Sequence, residues 1–368
     1  MNIQILQENL LRALIKTGRI ISSKPQLPIL QSLLLTTREG QLTIIASSLE
    51  ATEIVTTRGK ITKEGGMCVP SRLLIEFISS LPQETVTLEA KEGALSVACG
   101  KIHATIPGTL VSEFPTVPSR GKGSSFSFDK DSFVLALQGV LFAAATDESR
   151  PLLTGVKIIG GKDGMSLTAT DGYRLSQKNL RGGANFSSTV VIPSRALSEV
   201  VKLCQEDKEV KELFFEETKE GQLVFSVGDT NLFTRRIDGE YPNTEKIIPK
   251  TYTTKITLDK EQFGRAVKSA SVFARDNANI IRFHIEGNLL TVSANTPSVG
   301  ENTIEVDGKA EGDGGDIAFN SRFLTEFLSN TKGDELVFEM TGSLNPGVFR
   351  VVGDDSFFHI IMPVRVQN

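Results

Sequence analysis

The chain has 368 residues, of which 39% are hydrophobic and 23% are charged, and its formal net charge is −4. This length predicts about two to four domains, because a single hydrophobic core rarely extends so far. No apolar run reaches the roughly 18 residues that a membrane span requires. The acidic balance argues against a uniformly basic nucleic-acid binder, although a basic lining can lie inside an acidic molecule.

The cysteines and the first residues indicate the compartment. Cys68, Cys99 and Cys204 form neither a CxxC spacing nor an even set, which is typical of buried thiols in a reducing environment. Residues 1–5 lack the basic and then apolar order of a signal peptide. We therefore expect a cytoplasmic protein.

Three segments in chain order each predict the end of a strand followed by an amphipathic helix. They begin near residues 6, 128 and 258, and each carries apolar residues three and four positions apart. An acidic or amide side chain stands at each expected helix start, where it can accept amide hydrogens. Repetition of this pattern is the most informative feature of the sequence.

A Ser-Arg pair predicts a second helix in each repeat. The pairs are Ser71-Arg72, Ser194-Arg195 and Ser321-Arg322, with the arginines 123 and 127 residues apart. Four residues after each arginine stands a glutamate, namely Glu76, Glu199 and Glu326. One helical turn brings each glutamate back to the face of its arginine. We expect the serine to cap the helix, because its hydroxyl can accept an amide hydrogen of the first turn.

Short alternating strands lie between the helices. They are predicted at residues 33–37 and 42–46, 155–159 and 166–169, and 280–285 and 289–294. Linkers rich in Pro, Gly, Lys and Thr lie near residues 115–125 and 243–254. The sequence therefore predicts an α+β fold of three similar domains, at residues 1–120, 125–247 and 253–368, each with two helices on antiparallel sheets. The repeat alone leaves open that the three domains were duplicated for unrelated reasons.

The sequence offers no catalytic or metal-binding pattern. His103, His284 and His359 stand in strand-like runs without a carboxylate or cysteine at ligand spacing. Residues 121–123 lie in a linker rather than after a strand, so they form no phosphate-binding loop. The acidic residues 311–316 lack the ligand pattern of an EF-hand. We therefore expect no catalytic residue, no cofactor and no metal ion.

The segment at residues 167–175, Leu-Thr-Ala-Thr-Asp-Gly-Tyr-Arg-Leu, closely resembles a known signature. It is similar to the middle-domain signature of the bacterial DNA polymerase sliding clamp, the β subunit or processivity factor. Segments at residues 27–30, 142–156, 238–243, 248–249 and 362–366 resemble the same family. The resemblance covers the whole chain in order, including its length and its threefold repeat.

This resemblance implies a DNA-clamp fold whose subunits join head to tail as a dimer and close a six-domain ring. The ring would encircle duplex DNA and confer processivity on a replicative polymerase, and it would not be an enzyme. Twelve lining helices at roughly 9 Å spacing give a diameter of about 34 Å, and one helix width of about 10 Å still leaves room for duplex DNA. Contacts to DNA should then be transient and made to phosphate. The partners implied are a second copy of the chain, duplex DNA, the polymerase, the clamp loader and other clamp-motif proteins of replication and repair.

Helices that line such a ring should be basic. Arg12, Lys16 and Arg19 fall on one face of the first predicted helix. The residues expected to face DNA are Arg12, Lys16, Arg19, Lys24, Arg72, Arg195, Lys202, Arg265, Lys268 and Arg322. The alternative is a solvated helix face on which the bases form salt bridges to Glu76, Glu199 and Glu326.

The resemblance also implies a peptide-binding cleft that anchors short extended motifs of partner proteins. The positions that match the cleft residues of the family are Leu153, Thr170, Gly172, Tyr173, Arg174, Leu175, Pro242, Ile247, Ile360, Ile361, Met362, Pro363, Val364 and Arg365. Leu175 and Met362 are expected on its apolar floor, and Arg174 and Arg365 at its rim. Tyr173 departs from the histidine that the family commonly has there. Taken singly, these residues could equally be ordinary core.

The dimer interface is implied in the same way. An edge strand that carries Ile102 and Ala104 should meet the region of Val272 and Phe273 from the second copy. Phe273 should be the anchor, because buried aromatic residues dominate such interfaces.

Two other functions stay open from the residues alone. An enzyme on repeated α+β domains, such as a nuclease, would require clustered carboxylates or histidines, which the sequence does not offer. A protein-interaction scaffold that never touches DNA would need none of these.

Overall fold

The computed structural model describes residues 1–368 except 23–24, 49, 121–123, 162–163, 183–187, 219–220, 299 and 366–368. Lys24, one of the residues expected to face DNA, therefore lies outside the described residues. Within the described part, no helix is long and apolar enough to cross a membrane.

The α-helices follow the predicted repeat. In the described residues they are α1 (Gln7–Gly18), α2 (Ser71–Ser80), α3 (Lys130–Leu141), α4 (Ser194–Glu206), α5 (Lys260–Ala274) and α6 (Ser321–Asn330). The first helix of each repeat buries two apolar residues four positions apart. These are Leu10 and Leu14, Phe133 and Leu137, and Phe263 and Val267. That spacing places both side chains on the helix face that packs on the core.

The helix caps agree with the sequence only in part. Asp259 caps α5 by accepting a hydrogen bond from a first-turn amide at 2.8 Å, as the acidic pattern predicts. The prediction that serine is the cap is wrong for α2 and α6, where Ser71 and Ser321 are buried and form the first helical residue. Asn320 caps α6 instead and accepts a first-turn amide hydrogen at 2.9 Å. The residue before the serine is still extended, so it takes the capping position.

Antiparallel strands form most of the remaining structure. The strands before α3 are β1 (Asn2–Leu6), β2 (Ser32–Arg38), β3 (Gln41–Ser47), β4 (Ala51–Arg58), β5 (Lys60–Lys63), β6 (Gly65–Pro70), β7 (Thr85–Lys91), β8 (Ala94–Cys99), β9 (Ile102–Pro107) and β10 (Ser124–Asp129). Those between α3 and α5 are β11 (Gly155–Gly161), β12 (Gly164–Thr170), β13 (Arg174–Arg181), β14 (Thr189–Pro193), β15 (Glu212–Glu217), β16 (Gln222–Val227), β17 (Thr230–Arg235) and β18 (Thr254–Asp259). Those after α5 are β19 (Ile280–Glu286), β20 (Leu289–Thr296), β21 (Gly300–Gly312), β22 (Gly315–Asn320), β23 (Glu335–Met340), β24 (Gly347–Val351) and β25 (Asp354–Ile361).

One compact unit consists of Met1–Asp131 and Ser198–Arg236. It contains a five-stranded sheet in the order β5-β1-β7-β8-β9 and an eight-stranded sheet in the order β10-β15-β16-β17-β4-β3-β2-β6. The larger sheet is continuous because β17 pairs antiparallel with β4. Leu14 of α1 and Leu74 of α2 are fully buried in the apolar core of this unit. Burial of each such leucine stabilises the fold by about 1.5–3 kcal/mol.

The other compact unit consists of Ser132–Leu197 and Ile237–Asn368. Its sheet has twelve strands in the order β14-β11-β12-β13-β25-β24-β23-β18-β21-β20-β19-β22, and the pairing of β13 with β25 makes it continuous. Phenylalanine rings fill the core under α5 and α6. Those of Phe283, Phe319, Phe338 and Phe349 lie between 4.8 and 5.8 Å apart in the pairs that touch. Such pairs add about 0.5–1.5 kcal/mol each beyond the area they bury.

The strand orders contain the same pattern three times. One set of four strands runs β1-β7-β8-β9, then β10-β15-β16-β17, then β18-β23-β24-β25. The other set runs β6-β2-β3-β4, then β14-β11-β12-β13, then β22-β19-β20-β21. Each repeat therefore holds two helices and two four-stranded sets, which confirms the predicted α+β architecture.

The predicted domain boundaries, at residues 1–120, 125–247 and 253–368, stay a prediction. The division into two compact units passes through α3 and α4. Pairing of β17 with β4, and of β25 with β13, joins strands of neighbouring predicted domains into continuous sheets. The division into compact units therefore does not resolve the three predicted domains.

Candidate functional site

The turn between β12 and β13 is held by its own side chains. Gly172 has a φ of 92°, a conformation that glycine adopts without strain. Thr170 Oγ1 accepts a hydrogen bond from the Gly172 amide at 3.0 Å and donates to the Arg174 carbonyl at 2.6 Å. Asp171 Oδ1 accepts from the amides of Tyr173 and Arg174 at 2.8 and 3.0 Å. These hydrogen bonds define the conformation of the turn, and Tyr173 is 61% exposed at its tip.

The end of β25 lies beside this turn. Ile361 pairs with Arg174 across the two strands, and the Met362 amide donates to the Tyr173 carbonyl at 2.8 Å. The Val364 amide then donates to a carbonyl of β22 at 2.8 Å. These backbone bonds fix residues 362–364 along the turn, so the segments that the resemblance joined into one cleft are neighbours in the structure.

The predicted cleft residues divide into an exposed and a buried group. Exposed or half-buried are Gly172, Tyr173, Pro242, Ile247, Met362, Pro363, Val364 and Arg365. Buried are Leu153, Thr170, Arg174, Leu175, Ile360 and Ile361. Only the first group can touch a ligand without a rearrangement of side chains.

Leu175 is therefore not the apolar floor that the sequence predicts. It is fully buried in a small cluster with Val348, Phe358 and Ile360, against which Ile248 packs. Adjacent antiparallel strands β13, β25 and β24 bring these residues together. The leucine packs beneath the strand and is not at the surface of the predicted cleft.

Arg174 also differs from the prediction, since it lies below the rim. Its guanidinium forms ion pairs with Asp171 at 3.0 Å and with Glu326 of α6 at 2.6 Å. The same group lies 4.7 Å above the Phe323 ring and 5.7 Å from the Phe142 ring, within cation–π range. Burial without such partners would be costly for a charge. Arg174 thus holds the turn to α6, and Arg365 is the exposed arginine of the pair.

His359 lies beneath this cluster and is fully buried. Burial lowers its pKa well below the ordinary value, with a further contribution from the charge of Arg174. Its Nδ1 shares a hydrogen bond of 2.7 Å with Ser176 Oγ, and its ring stacks on Phe327 at 5.1 Å. The imidazole is therefore neutral and structural, in line with the sequence reasoning. In the part of the chain that is described, no group of three or more His, Cys, Asp or Glu could hold a metal ion.

The basic face predicted for α1 is largely occupied by ion pairs within the chain. Arg12 is exposed, but Lys16 is buried and pairs with Asp229 at 3.2 Å. Arg19 pairs with Glu199 at 3.4 Å and also with Glu206. The structure therefore corrects the prediction of one exposed basic face, because two of its three charges are neutralised within the chain. A groove of about 800 Å³ runs along this face of α1.

The other predicted DNA-facing residues that the structure describes are exposed, and most are ion-paired. The pairs are Arg72 with Glu76 at 2.8 Å, Arg195 with Glu148 at 3.1 Å, Lys202 with Glu199 at 3.0 Å and Arg265 with Glu261 at 2.7 Å. Lys268 and Arg322 are exposed as well. Of the three glutamates in the Ser-Arg repeats, Glu76 pairs with the arginine of its own motif, whereas Glu326 pairs with Arg174.

The predicted interface residues lie on suitable surfaces. Ile102 and Ala104 belong to β9, which is the last strand of the five-stranded sheet. Val272 is 49% exposed on the last turn of α5, and Phe273 is half-buried against the core. An edge strand with an exposed isoleucine invites pairing with another strand.

Glu53 is a buried acid that the sequence reasoning missed. It lies on β4, is fully buried, and neither carboxylate oxygen has a hydrogen-bond partner in the described residues. Burial, with a further contribution from the nearby charge of Glu199, raises its pKa to about 8 against the opposing effects of Arg19 and Lys16. The available signal was its alternation with Val55, which places both side chains on the same face of the strand.

Sequence models for the DNA polymerase III beta subunit match as the N-terminal domain at residues 1–118, the central domain at residues 127–243 and the C-terminal domain at residues 245–365. The threefold repeat with its continuous sheets defines the three-domain fold of a DNA sliding clamp. The chain belongs to the DNA polymerase III beta subunit family, which confirms the resemblance seen in the sequence.

Relatives and solved structures agree with this assignment. The beta sliding clamp of Staphylococcus aureus is 28% identical over 377 residues, which cover 99% of both chains. The Bartonella birtlesii DnaN sliding clamp, solved bound to griselimycin, is 25% identical with a TM-score of 0.94 over 100% of both chains. The Bacillus subtilis sliding clamp shares the fold at 23% identity with a TM-score of 0.94, again over 100% of both chains.

Proposed function

We propose that this chain is the subunit of a sliding clamp that encircles duplex DNA and confers processivity on a replicative DNA polymerase. The observation that carries the proposal is the match of all three domains of the family, in order, along nearly the whole chain. The subunit is a non-catalytic accessory of the polymerase. Its contribution is to keep the polymerase on its template between successive nucleotide additions.

Ring closure is proposed to use a second copy of the chain, joined head to tail. Inside the chain, β17 pairs with β4 and β25 pairs with β13. The equivalent strands of the third such junction are β9 and β21. Within the described residues, β9 has no neighbour beyond β8, and residues 300–307 of β21 pair on one side alone. Two copies would join these edges twice, and a heterologous contact that closes after two copies gives a six-domain ring.

DNA would pass through the ring without sequence-specific contacts. Arg12, Arg72, Arg195, Lys202, Arg265, Lys268 and Arg322 are exposed and available for phosphate contacts. Ion pairs to neighbouring glutamates weaken the net positive charge at several of them. Weak and transient phosphate contacts suit a protein that slides.

Partner proteins would bind through a short extended peptide at the turn that carries Tyr173 and Met362. The exposed residues there combine apolar side chains with the charged Arg365, which suits anchoring by two or three side chains. A flexible methionine can adapt to different anchors. The polymerase, the clamp loader and other replication and repair proteins would then compete for one cleft. The complex would act in the cytoplasm, where its buried thiols stay reduced.

Primer extension tests this function. A long primed single-stranded circle is extended by the replicative polymerase and clamp loader of the same organism, with excess unlabelled template to limit each polymerase to one binding event. Adding the chain should lengthen the products at least tenfold. Products of unchanged length, with loader and polymerase active on another clamp, would contradict the proposal.

A further inference from the structure

An arginine and a glutamate stand one helical turn apart at the start of α2, α4 and α6, and their pairing differs between the three helices. In α2 they pair with each other, since Arg72 Nε lies 2.8 Å from Glu76 Oε1. A spacing of four residues brings such side chains together on one helix face. The positive charge of Arg72 is therefore largely compensated by a carboxylate that would itself repel a phosphate.

In α6 the same spacing gives a different result. Glu326 Oε2 lies 2.6 Å from Nη1 of Arg174, which is the first residue of β13. Arg322 is exposed, and it forms no ion pair with any of the described residues. The local sequence of the helix cannot account for this difference, because the spacing is the same as in α2. A residue outside the helix, Arg174, therefore decides where the glutamate points.

Arg174 competes well for Glu326 because it is buried and fixed. Its side chain is only 7% exposed, and attraction between opposite charges is stronger where water is excluded. Its Nε is bonded to Asp171 at 3.0 Å, and its guanidinium lies 4.7 Å from the centre of the Phe323 ring. Arg174 Nη1 has no hydrogen-bond partner in the described residues, so its contact with Glu326 is one of charge. Pairing with Arg322 would instead have to order a long exposed side chain, which lowers the gain.

The helix α4 shows that loss of the motif glutamate does not by itself free the arginine. Glu199 pairs with Arg19 at 3.4 Å rather than with Arg195. Arg195 nevertheless has another acidic partner, since its Nη2 lies 3.1 Å from Glu148 Oε1. Within the part of the chain that is described, Arg322 is therefore the one arginine of the three motifs that no carboxylate neutralises.

We propose that Arg174 is a positioning residue for the contact with DNA, because it holds Glu326 away from Arg322 and leaves that arginine free to meet a phosphate. The inference rests on the proposed function, in which α6 faces the duplex, and it adds a residue on which that contact depends. Arg174 is 8% exposed and lies below the surface, so it acts through Arg322 and does not meet DNA itself. Its backbone amide also bonds to Asp171 in the turn of Tyr173. One buried guanidinium thus links the peptide cleft to a DNA-facing helix.

The salt dependence of binding to a short open duplex measures such contacts, because each phosphate contact adds about 0.9 to the steepness of log K against log salt concentration. Fluorescence anisotropy of a labelled duplex with the intact dimer gives this slope. Arg322→Ala should lower its steepness by about 0.9 or more. Arg72→Ala, which removes a compensated charge, should lower it by at most half as much. Arg38→Ala removes an exposed arginine of β2 outside the predicted DNA-facing residues and should leave the slope unchanged.

Combined variants test the part played by Arg174. Arg174→Gln releases Glu326, which can then pair with Arg322. In this background Arg322→Ala should lower the steepness of the slope by at most half as much as in the unmodified chain. Adding Glu326→Gln removes the competing carboxylate and should restore the full effect of Arg322→Ala. A loosened turn in Arg174→Gln would not be repaired by a change on α6, so rescue by Glu326→Gln separates positioning from a general structural role.

Two single variants give the same comparison without altering Arg174, and they decide the matter if Arg174→Gln does not fold. Glu76→Gln releases Arg72 and should make the slope steeper, whereas Glu326→Gln should steepen it by less than half as much. Equal increases, an effect of Arg322→Ala no larger than that of Arg72→Ala, or no rescue by Glu326→Gln would overturn the role of Arg174 and leave the proposed function standing. A duplex that the unmodified dimer does not bind even at low salt would overturn the proposed contacts with DNA as well.

Discussion

At the scale of single residues, the buried carboxyl of Glu53 makes the stability of the fold depend on pH. Its pKa is raised from 4.5 to about 8, chiefly by burial. Between these values the folded chain keeps a proton that the unfolded chain has lost, so the free energy of unfolding falls as pH rises. Below about pH 4.5 the carboxyl does not lower the free energy of unfolding, and above about pH 8 its full destabilising effect is present.

Glu53→Gln should remove this pH dependence. The variant should become more stable than the unmodified chain as pH rises from 5 to 8, by on the order of 3 kcal/mol at the upper end. Urea unfolding at several pH values measures the difference in the free energy of unfolding. Glu113→Gln, an exposed change in the same unit, serves as the control. If the free energy of unfolding depends on pH in the same way for the unmodified chain and Glu53→Gln, the raised pKa of Glu53 is wrong.

Met362 should be a main peptide contact, since it is half-exposed and bonded through its amide to the turn of Tyr173. Short peptides with a Gln and a Leu- or Phe-rich end should bind with micromolar affinity, because a disordered peptide must be ordered on a small surface. Met362→Ala should weaken binding about tenfold. Removal of the residues after Met362 in addition should abolish it.

Fluorescence anisotropy of a labelled peptide measures both variants. Val352→Ala, at an exposed position in the same unit, is the matched control and should bind normally. If the Met362 variants bind as tightly as the control while remaining dimeric, the cleft lies elsewhere and the residues carried over by resemblance are ordinary core.

The resemblance could identify candidate cleft residues, but it could not show which of them are exposed. The Asp-Gly turn and the chain end at residues 360–365 were joined by resemblance, and β13 and β25 do lie side by side. The burial of Arg174 and Leu175 depends on partners more than a hundred residues away, Glu326 and Ile360. A local pattern carries no information on such partners. Lys16 and Arg19 show the same limit, because Asp229 and Glu199 are equally distant in the chain.

At the scale of secondary-structure elements, the end of α5 and the edge strand β9 carry the proposed interface. Phe273→Ala should yield folded monomers at micromolar concentration, because an aromatic anchor contributes strongly to such contacts. Phe214→Ala removes a more exposed phenylalanine from β15 and should leave the dimer intact. Sedimentation velocity measures the mass, and circular dichroism checks the fold. A Phe273→Ala protein that stays dimeric on dilution contradicts this interface assignment.

Elements were predicted better than their termini. Alternating apolar residues gave the strands around residues 33–46, 155–169 and 280–294, and helical spacing gave the six α-helices of the described residues. The serine caps predicted for α2 and α6 were wrong because capping depends on which residue is still extended, a difference of one position. The strand order was beyond the sequence, since pairing of β17 with β4 joins residues about 180 positions apart.

At the scale of the whole molecule, we expect DNA to be held by topology. A closed ring need not keep its phosphate contacts, so retention on a circle should resist salt that abolishes binding to short open duplexes. From the sequence, only the family resemblance implied this ring. In the structure, three repeats with equivalent strand edges leave one pair of edges for a second copy. Retention on DNA then depends more on closure of the ring than on the strength of direct contacts to DNA.

The most direct measurement is retention on circular and linear DNA. The chain is loaded onto a nicked circular plasmid by a clamp loader, washed in high salt, and separated from free protein by gel filtration. We expect it to co-elute with the circle and to be released when a restriction enzyme linearises the plasmid. Equal retention on the linear and circular forms would contradict a ring that encircles DNA.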